Sequence, residues 1–183
     1  MGILKVARLG HPAIRAGALP VPDGWWKSPA ARQFLLDMVD TMREYGGVGL
    51  AAPQVHQPVR VAVIEIEHNP RYPQAPPFPL TVLINPRIVW RSDETEENWE
   101  GCLSVPDLRG RVARASSVRI EAVDENGRTR ACEASGFAAR AFQHELDHLD
   151  GKVFLDRMDT PSSLTHLDEY YRFHCRDGGE SES

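Results

Sequence analysis

The residues most able to do chemistry are His144, Glu145 and His148, which form an HExxH pattern. Four residues is slightly more than one helical turn, so on a helix both imidazoles project from the same face. Two neutral imidazoles placed in this way can bind one cation, and the Glu145 carboxylate can reach a water on it. A chance HExxH is expected in roughly a few per cent of chains of this kind, so the pattern alone only suggests a metal site.

The third ligand of such a site is predicted upstream, at Cys102. A catalytic metal needs a third protein ligand and an open position for water. His166 and His174 lie downstream of the pattern, but neither falls at the extended spacing of zinc proteases. A soft thiolate suits two imidazoles as a partner, although a lone cysteine is more often a small buried hydrophobe.

A further motif, GVGLAAPQ at residues 47–54, is rich in small residues. Small residues let the backbone approach a ligand closely, and the Gln54 amide could donate to a developing oxyanion. The motif follows a predicted helix and lacks the spacing of a dinucleotide-binding fingerprint. Taken alone, it indicates a tight turn with a glutamine of the ordinary surface kind.

Hydrophobic periodicity predicts the elements that must position these residues. Helices are predicted over residues 30–45, 137–150 and 162–175. Strands are predicted over residues 59–66 and 81–91 (with a break at 85–86), and a hairpin over 118–123 and 128–133. Loops are predicted over residues 20–29, 69–79 and 93–98. Strands dominate the middle without regular alternation with helices, which favours an α+β fold with a largely antiparallel sheet.

Composition limits the classes of protein to consider. The 183 residues, 42% hydrophobic and 26% charged, predict one domain over residues 1–176 and a disordered acidic tail over 177–183. The net charge of −5 argues against a surface devoted to DNA or RNA. Three cysteines make a poor disulfide framework, and no signal peptide or membrane-spanning run is evident. A cytoplasmic protein without a membrane or DNA partner is therefore expected.

Three motifs in this order, GVGLAAPQ, EGCLS and QHELDHLDG, resemble the signature motifs of the peptide deformylases. The match runs from KVARLGHPAIR near the start to about Met158. The resemblance implies a metallohydrolase with antiparallel and mixed strands packed around a central HExxH helix. It implies Cys102, His144 and His148 as ligands of one divalent ion, typically Fe²⁺, for which Zn²⁺, Ni²⁺ or Co²⁺ can substitute.

The same resemblance implies catalytic roles and partners. Glu145 would be the catalytic carboxylate, and Gln54 and the backbone N–H of Leu103 would be oxyanion donors. The expected partners are nascent peptides that begin with N-formyl-methionine, with a transient association with the ribosome.

Further residues are expected to contact the substrate or support the ligands. Substrate contacts are expected at Gly47, Gly49, Gly101 and Arg140. Arg140 lies one turn before His144, so its stem is expected to line the methionine pocket while its head stays in water. The alternative is that Arg140 simply solvates the helix or pairs with a neighbouring acid. Supporting contacts are expected from Glu100 and from an Asp147–Arg114 pair, for which an ordinary surface salt bridge is the alternative.

Three other functions remain open at this point. A zinc endopeptidase would use the same HExxH pattern, and a cysteine hydrolase would use Cys102 as nucleophile with His144 as base. A family member that binds peptides without catalysis is the third alternative, because fold alone does not fix function.

Overall fold

Eight β-strands and three α-helices lie within residues 2–67 and 75–175, the part of the chain that the computed structural model describes. The strands are β1 (Gly49–Ala51), β2 (Val61–Ile66), β3 (Phe78–Arg91), β4 (Thr95–Cys102), β5 (Val105–Ala115), β6 (Ser117–Val123), β7 (Thr129–Ser135) and β8 (Thr165–His166). The helices are α1 (Pro29–Glu44), α2 (Gly136–Leu149) and α3 (Leu167–Phe173). One sheet has the order β1-β2-β3-β6-β7 and the other β4-β5-β8, with antiparallel strand pairs. The predicted α+β class with antiparallel sheets is confirmed.

At β1 and β2 the larger sheet is buried on both faces, because α1 packs on one face and α2 on the other. In β2, Ala62 and Ile64 belong to the core cluster on the α2 side, whereas Val61 and Val63 belong to the cluster on the α1 side. This alternation follows from the two-residue period of a strand. The uninterrupted run of apolar residues within 59–66 is therefore a strand covered on both sides, and the predicted strand is confirmed.

Helix α1 begins and ends where local chemistry dictates. The Ser28 side chain accepts a hydrogen bond from the N–H of Ala31 at 3.1 Å, and Pro29 occupies the first helical position. Gly46 follows the helix with a positive φ of 61°, a conformation that favours glycine. The helix predicted over residues 30–45 is confirmed to within one residue at each end.

The predicted break in the second strand is a bulge inside β3. Asn85 has a positive φ of 51°, and the register with β6 shifts between Ile84 and Arg87. The Asn85 amide stabilises this irregularity because its oxygen accepts from Val21 N–H and its nitrogen donates to Val21 O, both at 2.9 Å. The strand continues beyond the bulge, so a proline there does not end it.

The loop predicted over residues 93–98 is wrong, since most of this acidic segment forms the start of β4. The segment lacks alternating apolar residues because its side chains face solvent. Backbone pairing with β5 forms the strand instead, and a surface ion pair between Arg111 and Glu97 at 2.7 Å accompanies it. Strand pairing with a distant segment overrides the local preference of acidic residues for loops.

The central predictions for the later part of the chain are confirmed. The hairpin expected over 118–123 and 128–133 is β6 and β7, and the helix expected over 137–150 is α2. In the hairpin turn, the Asp124 carboxylate accepts the backbone N–H of Arg128 at 2.8 Å.

The helix predicted over residues 162–175 is too long. The segment contains the end of a short 3-10 helix (Pro161–Ser163) and strand β8 before α3 begins. Strand β8 pairs with β5 at Leu108 and Arg109, and this tertiary pairing replaces the first helical turn.

The remaining predicted segments are partly outside the described residues. The loop over 20–29 contains a short 3-10 helix, Trp25–Lys27. The loop over 69–79 lies mostly outside the described residues, and the tail over 177–183 lies entirely outside them. No helix in the described part of the chain is long and apolar enough to cross a membrane.

Candidate metal centre and active site

Three side chains able to bind a metal meet from two distant segments. Cys102 lies at the end of β4, and His144 and His148 lie about one turn apart on α2. The ligand atoms all lie within 4.8 Å of one another, and Cys102 Sγ is 3.2 Å from His148 Nε2. Cys102 and His148 are buried, whereas the His144 side chain is 11% exposed. A thiolate and two imidazoles at this spacing fit three positions around a divalent metal ion.

The two imidazoles are turned so that one nitrogen of each faces the cluster. Glu100 Oε2 lies 2.9 Å from His144 Nδ1, and a carboxylate that accepts this N–H leaves the Nε2 lone pair for a metal. His148 directs Nε2 towards the sulfur, while its Nδ1 has no hydrogen-bond partner among the described residues. Such a contact between a carboxylate and a ligand histidine is typical of metal sites.

Cys102 is surrounded by groups that favour its ionised form. Burial alone would raise the pKa of the thiol, but His148 and His144 beside it hold that pKa well below its usual value. The backbone N–H of Ser104 also points at the sulfur, at 3.3 Å. A thiolate is the form that binds a metal, so the donor set fits a cation.

Glu145 lies next to the ligand cluster with its carboxylate buried. Burial raises the pKa of this carboxyl group, and its Oε2 has no hydrogen-bond partner in the described part of the chain. A Cβ atom built at Gly49 would lie 2.5 Å from Glu145 Oε1, so only glycine at that position leaves room for the carboxylate. The Glu145 side chain therefore lies between its own helix, α2, and strand β1, and its Oε2 atom can still accept a hydrogen bond.

Gln54 is buried and oriented rather than exposed, unlike a glutamine of the surface kind. The N–H of Ala51 donates to its Oε1 at 2.8 Å, so Nε2 is the end that faces the cluster. Nε2 donates to Ser104 Oγ at 3.2 Å and lies 3.6 Å from Cys102 Sγ. The GVGLAAPQ motif thus forms β1 and a 3-10 helix, Ala52–Val55, that together present this amide.

A pocket opens beside these groups. Its lining includes Cys102, His144, Glu145 and Gln54. Its other lining residues include Val48, Trp99, Leu103, Phe137, Arg140 and Ala141. One small pocket therefore combines the potential metal ligands with an apolar wall.

Comparison with known proteins decides the family. A sequence model of the family described as polypeptide deformylase matches residues 3–163. The chain belongs to the polypeptide deformylase family. A protein named peptide deformylase 2, from a Nostoc species, is 40% identical over 168 residues, which cover 92% of this chain and 93% of that protein. Peptide deformylase 1 of Bordetella pertussis is 43% identical over 156 residues, 85% of this chain and 88% of that protein.

A solved deformylase structure has the same fold. The Met-Ala-Ser-bound class I type b peptide deformylase of Acinetobacter baumannii superimposes with a TM-score of 0.83 at 41% identity, covering 86% of this chain and 99% of that one. The resemblance carried by the three motifs is confirmed, as is the enzyme class, a hydrolase that removes the N-formyl group from polypeptides. Family membership decides against the zinc endopeptidase.

Glu100 is the centre of a buried charge cluster in this deformylase-family site. Arg114 donates to both of its oxygens, at 2.9 and 3.0 Å, and Arg140 Nη1 donates to Oε1 at 2.8 Å. Burial alone would raise the pKa of Glu100, but His144 and Arg114 hold it well below the usual range. The carboxylate therefore stays ionised and keeps its contact with His144.

Asp147 links the HExxH helix to two arginines. Arg114 Nη1 donates to Asp147 Oδ2, so the Asp147–Arg114 pair expected from the sequence is present, and it is buried rather than on the surface. Arg157, from a 3-10 helix at Phe154–Arg157, donates to the same carboxylate through Nε at 3.0 Å. These contacts tie α2 to β5 and to the segment that follows α2.

The expectation that the Arg140 head stays in water is wrong. The side chain is 7% exposed, and its guanidinium donates to Glu100 Oε1, to Val112 O at 2.8 Å and to Glu96 O at 2.6 Å. An arginine this deeply buried needs an acid and carbonyl acceptors, and β4 and β5 supply them. The alternative of pairing with a neighbouring acid therefore holds, although Arg140 still lines the pocket.

The glycines expected to contact substrate all line the pocket, but two of them also have structural tasks. Gly49 makes room for Glu145, as described above. A Cβ at Gly101 would lie 1.7 Å from Arg109 Nη1, so Gly101 makes room for that buried guanidinium. At Gly47 the nearest atoms to a Cβ, at 3.2 Å, are Gly49 O and Leu103 Cδ1.

Several residues of the site carry no signal in the sequence pattern. They are Trp99 in the pocket wall, Ser104 beside the sulfur, Arg109 beneath Gly101 and Arg157 on Asp147. Trp99 directly precedes the EGCLS motif and Ser104 is its last residue, and this position in the chain is the one cue that could have found them. Arg109 and Arg157 are arginines like many others, and only the fold brings them to the site.

Proposed function

We propose that this site removes the formyl group from the N-terminal formyl-methionine of new polypeptides and releases formate and a free amine. The observation that carries the proposal is the position of Glu145, whose buried carboxylate lies beside three convergent metal-binding side chains. Hydrolysis of a formamide needs an activated water, a base for its proton and donors for the developing oxyanion. The site offers a candidate for each task.

One divalent metal ion is proposed to be held by Cys102, His144 and His148. Fe²⁺ is proposed as the native ion, with Zn²⁺, Ni²⁺ or Co²⁺ able to replace it, because a thiolate with two imidazoles accepts all four. A bound ion would lower the pKa of a water molecule and polarise the formyl oxygen. The contact of Glu100 with His144 supports the proposal, since it leaves one ring nitrogen free for the ion.

Glu145 is proposed to move the proton. Its carboxylate takes a proton from the attacking water and returns it to the departing amine nitrogen, so the same group acts first as base and then as acid. Burial supports this role because it raises the pKa of the carboxyl group towards the range in which both steps are feasible.

Gln54 and Leu103 are proposed to stabilise the oxyanion. The Gln54 Nε2 group is already directed to the cluster by the contact of Ala51 with its oxygen. The backbone N–H of Leu103 follows directly after the ligand Cys102 and would be the second donor. Each donor of this kind typically contributes about 3 kcal/mol to stabilising the transition state.

The peptide is proposed to bind as an added strand. Strands β1 and β4 lie at the edges of their sheets, and both border the pocket. Gly47 and Gly49 on one side and Gly101 on the other would let the substrate backbone approach closely. The methionine side chain would then enter the apolar part of the pocket beside Trp99 and Phe137.

A second reaction, with Cys102 as the nucleophile, is favoured by one observation. Cys102 Sγ lies within 4.8 Å of a nitrogen of His144, the base expected from the sequence, and 3.2 Å from His148 Nε2. A thiolate beside an imidazole is the usual form of an activated cysteine. Such an enzyme would keep its activity in a chelator, whereas the metal-dependent enzyme would lose it. The chelator therefore discriminates between the two reactions.

The direct test is formate release from formyl-Met-Ala-Ser by protein loaded anaerobically with Fe²⁺, or with Co²⁺. Acetyl-Met-Ala-Ser is the matched control, since it differs by one methyl group at the carbonyl. We expect formate from the formyl peptide, a much slower release of acetate and free amine from the acetyl peptide, and loss of activity after chelation. No formate release by fully loaded protein would contradict the proposed function.

Other parts of the sequence interpretation stay predictions. They are the domain boundary at residue 176, the cytoplasmic location and the transient contact with the ribosome. The central place of the HExxH helix among the strands is proposed here too, supported by the packing of α2 against both the larger sheet and β5.

A further inference from the structure

An aromatic cluster joins the C-terminal helix to the pocket wall. The Trp99 ring lies 5.3 Å from the Tyr170 ring in an edge-on arrangement and 4.9 Å from the His174 ring. Tyr170 lies on α3, and His174 directly follows that helix. Trp99 lies on β4 and lines the pocket that contains the metal ligands.

Strand β8 and a buried arginine hold this helix in place. β8 pairs with β5 immediately before α3 begins, which fixes the start of the helix on the smaller sheet. The Arg109 guanidinium lies 6.0 Å from the centre of the Tyr170 ring, within reach of a cation–π contact. Gly101, two residues after Trp99 on the same strand, leaves the space that this guanidinium fills.

Trp99 depends on these contacts because it is only half-buried. An indole with one open side can change its side-chain rotamer unless neighbouring rings restrict it. Tyr170 and His174 supply that restriction. Of these three rings only Trp99 lines the pocket, so Trp99 is the ring through which the helix borders it.

We propose that Tyr170 and His174 are positioning residues that set which N-terminal side chain the enzyme accepts, by holding the Trp99 indole as a fixed wall of the pocket. This inference rests on the proposed function and deepens it, since it concerns the size of the side chain that the pocket admits. A fixed indole favours an unbranched side chain such as methionine. An indole free to move widens the pocket and lets a bulky ring enter.

The effect falls on substrate binding rather than on the chemical step. The potential ligands and the Glu145 carboxylate lie on other residues than the three rings, which contact one another. Loss of the ring contacts therefore raises KM for the methionine substrate and leaves kcat nearly unchanged. An aromatic contact of ordinary strength corresponds to a rise of about three- to tenfold.

The experiment compares kcat and KM for formyl-Met-Ala-Ser and formyl-Phe-Ala-Ser in the metal-loaded protein and its variants. Tyr170→Ala and His174→Ala each remove a ring from Trp99, and Tyr170→Phe keeps the ring. Phe173→Ala is the matched control, because Phe173 lies on the same helix with its side chain largely exposed. The fluorescence of Trp99, obtained by subtracting the spectrum of the matching Trp99→Phe protein, reports the indole directly.

We expect KM for the methionine peptide to rise about three- to tenfold in Tyr170→Ala and His174→Ala, with kcat within about twofold. Discrimination against the phenylalanine peptide should fall in parallel, and Trp99 fluorescence should shift towards that of an exposed indole. Tyr170→Phe should restore the wild-type KM, and Phe173→Ala should match wild type throughout.

Two outcomes would overturn the inference. One is an unchanged ratio of kcat/KM for the two peptides in both ring-deletion variants. The other is a change of equal size in Phe173→Ala. If Tyr170→Ala fails to fold, His174→Ala decides the question. Absence of formate release by the wild type would contradict the proposed function itself, and the fluorescence comparison would then still decide whether the helix holds Trp99.

Discussion

At the scale of single residues, the site assigns different tasks to chemically similar carboxylates. Glu145 is buried with an oxygen that has no hydrogen-bond partner in the described residues, and burial raises its pKa. Glu100 is equally buried, but it accepts from two arginines and contacts His144, and its pKa is lowered. The surroundings, rather than the residue type, make one a candidate base and the other a support for a metal ligand.

Glu100→Gln is expected to weaken metal binding by about 10- to 100-fold, because the amide no longer holds His144 in its orientation as a carboxylate does. The measurement is competition for Co²⁺ or Zn²⁺ with a chelator of known affinity. Glu97→Gln is the matched control, since Glu97 lies on the same strand and forms only an exposed pair with Arg111. Equal metal affinity in the two variants would contradict the role of Glu100.

Arg140→Met is expected to lower the free energy of unfolding by about 3–5 kcal/mol, because it removes one charge from a buried cluster. The measurement is urea unfolding. Arg119→Met, which breaks only an exposed pair with Glu133, should cost about 1 kcal/mol or less. A substrate-binding Arg140 would favour an acidic residue after the methionine. Because its guanidinium instead donates to Glu100, Val112 O and Glu96 O, discrimination between formyl-Met-Asp and formyl-Met-Lys peptides should not change with Arg140→Met. A changed ratio at unaltered stability would restore Arg140 as a substrate-binding residue.

Residue spacing predicted the candidate metal ligands better than it predicted the contacts of the residues around them. The HExxH spacing and the EGCLS cysteine could be interpreted directly, since a helix repeat puts two histidines on one face. The burial of Arg140 could not be predicted in this way. Spacing shows on which face of the helix a side chain lies, but it does not show which hydrogen-bond acceptors lie near that face. Glu96 O and Val112 O, which accept from Arg140, belong to strands that fold brings to it.

At the scale of elements, three elements bring the reactive groups together. Helix α2 carries both histidines and Glu145, β4 carries Cys102 at its end, and the turn into β1 brings Gly49 against Glu145. The close approach of β1 and α2 is possible only because a glycine faces the carboxylate. Placement of the base is therefore a property of two packed elements rather than of one residue.

Gly49→Ala is expected to reduce kcat at least about tenfold, because its Cβ would lie 2.5 Å from Glu145 Oε1 and 2.6 Å from Cγ and must displace them. Metal content should stay at one ion per chain, since Gly49 has no part in the ligand cluster. The measurements are formate release and metal analysis of the same sample. Normal turnover with normal metal content would mean that the position of Glu145 is less critical than the close packing implies.

The elements that the sequence pattern predicted best are those rich in apolar residues. Helix α1 buries a regular apolar stripe and strand β2 is an apolar run buried on both faces, and their bounds were predicted to within two residues. Strand β4 was missed because its first residues are acidic and exposed, and it exists through pairing with β5. Strand β8 was missed for the same reason, since two residues paired across the fold have no period of their own.

At the scale of the whole molecule, the metal site ties distant parts of the chain together. Arg114 on β5 bridges Glu100 on β4 and Asp147 on α2, and Arg157 reaches Asp147 from beyond α2. A metal ion held by Cys102 and two histidines would join β4 and α2 once more. Metal binding is therefore expected to stabilise the folded protein as a whole.

The metal-free protein is expected to have a Tm about 5–10 °C below that of protein kept at a free metal concentration near one hundred times Kd. Differential scanning calorimetry before and after chelation measures the shift, and Co²⁺ should restore it. The control variant is Cys132→Ser, which should show the same Tm shift on chelation as the wild type. Cys132 is a free cysteine on β7 outside the ligand cluster. An identical Tm with and without metal would contradict the proposed link between the ion and the fold.

The measurement that most directly tests the proposed reaction is formate release by Glu145→Gln with its metal content determined in the same sample. The amide occupies the same space but cannot take up and return a proton, so turnover should fall by about 10²–10⁴-fold. One metal ion per chain should remain, because Cys102, His144 and His148 are unaltered. Near-normal formate release by a fully loaded Glu145→Gln protein would contradict the role given to Glu145 and, with it, the reaction proposed for this site.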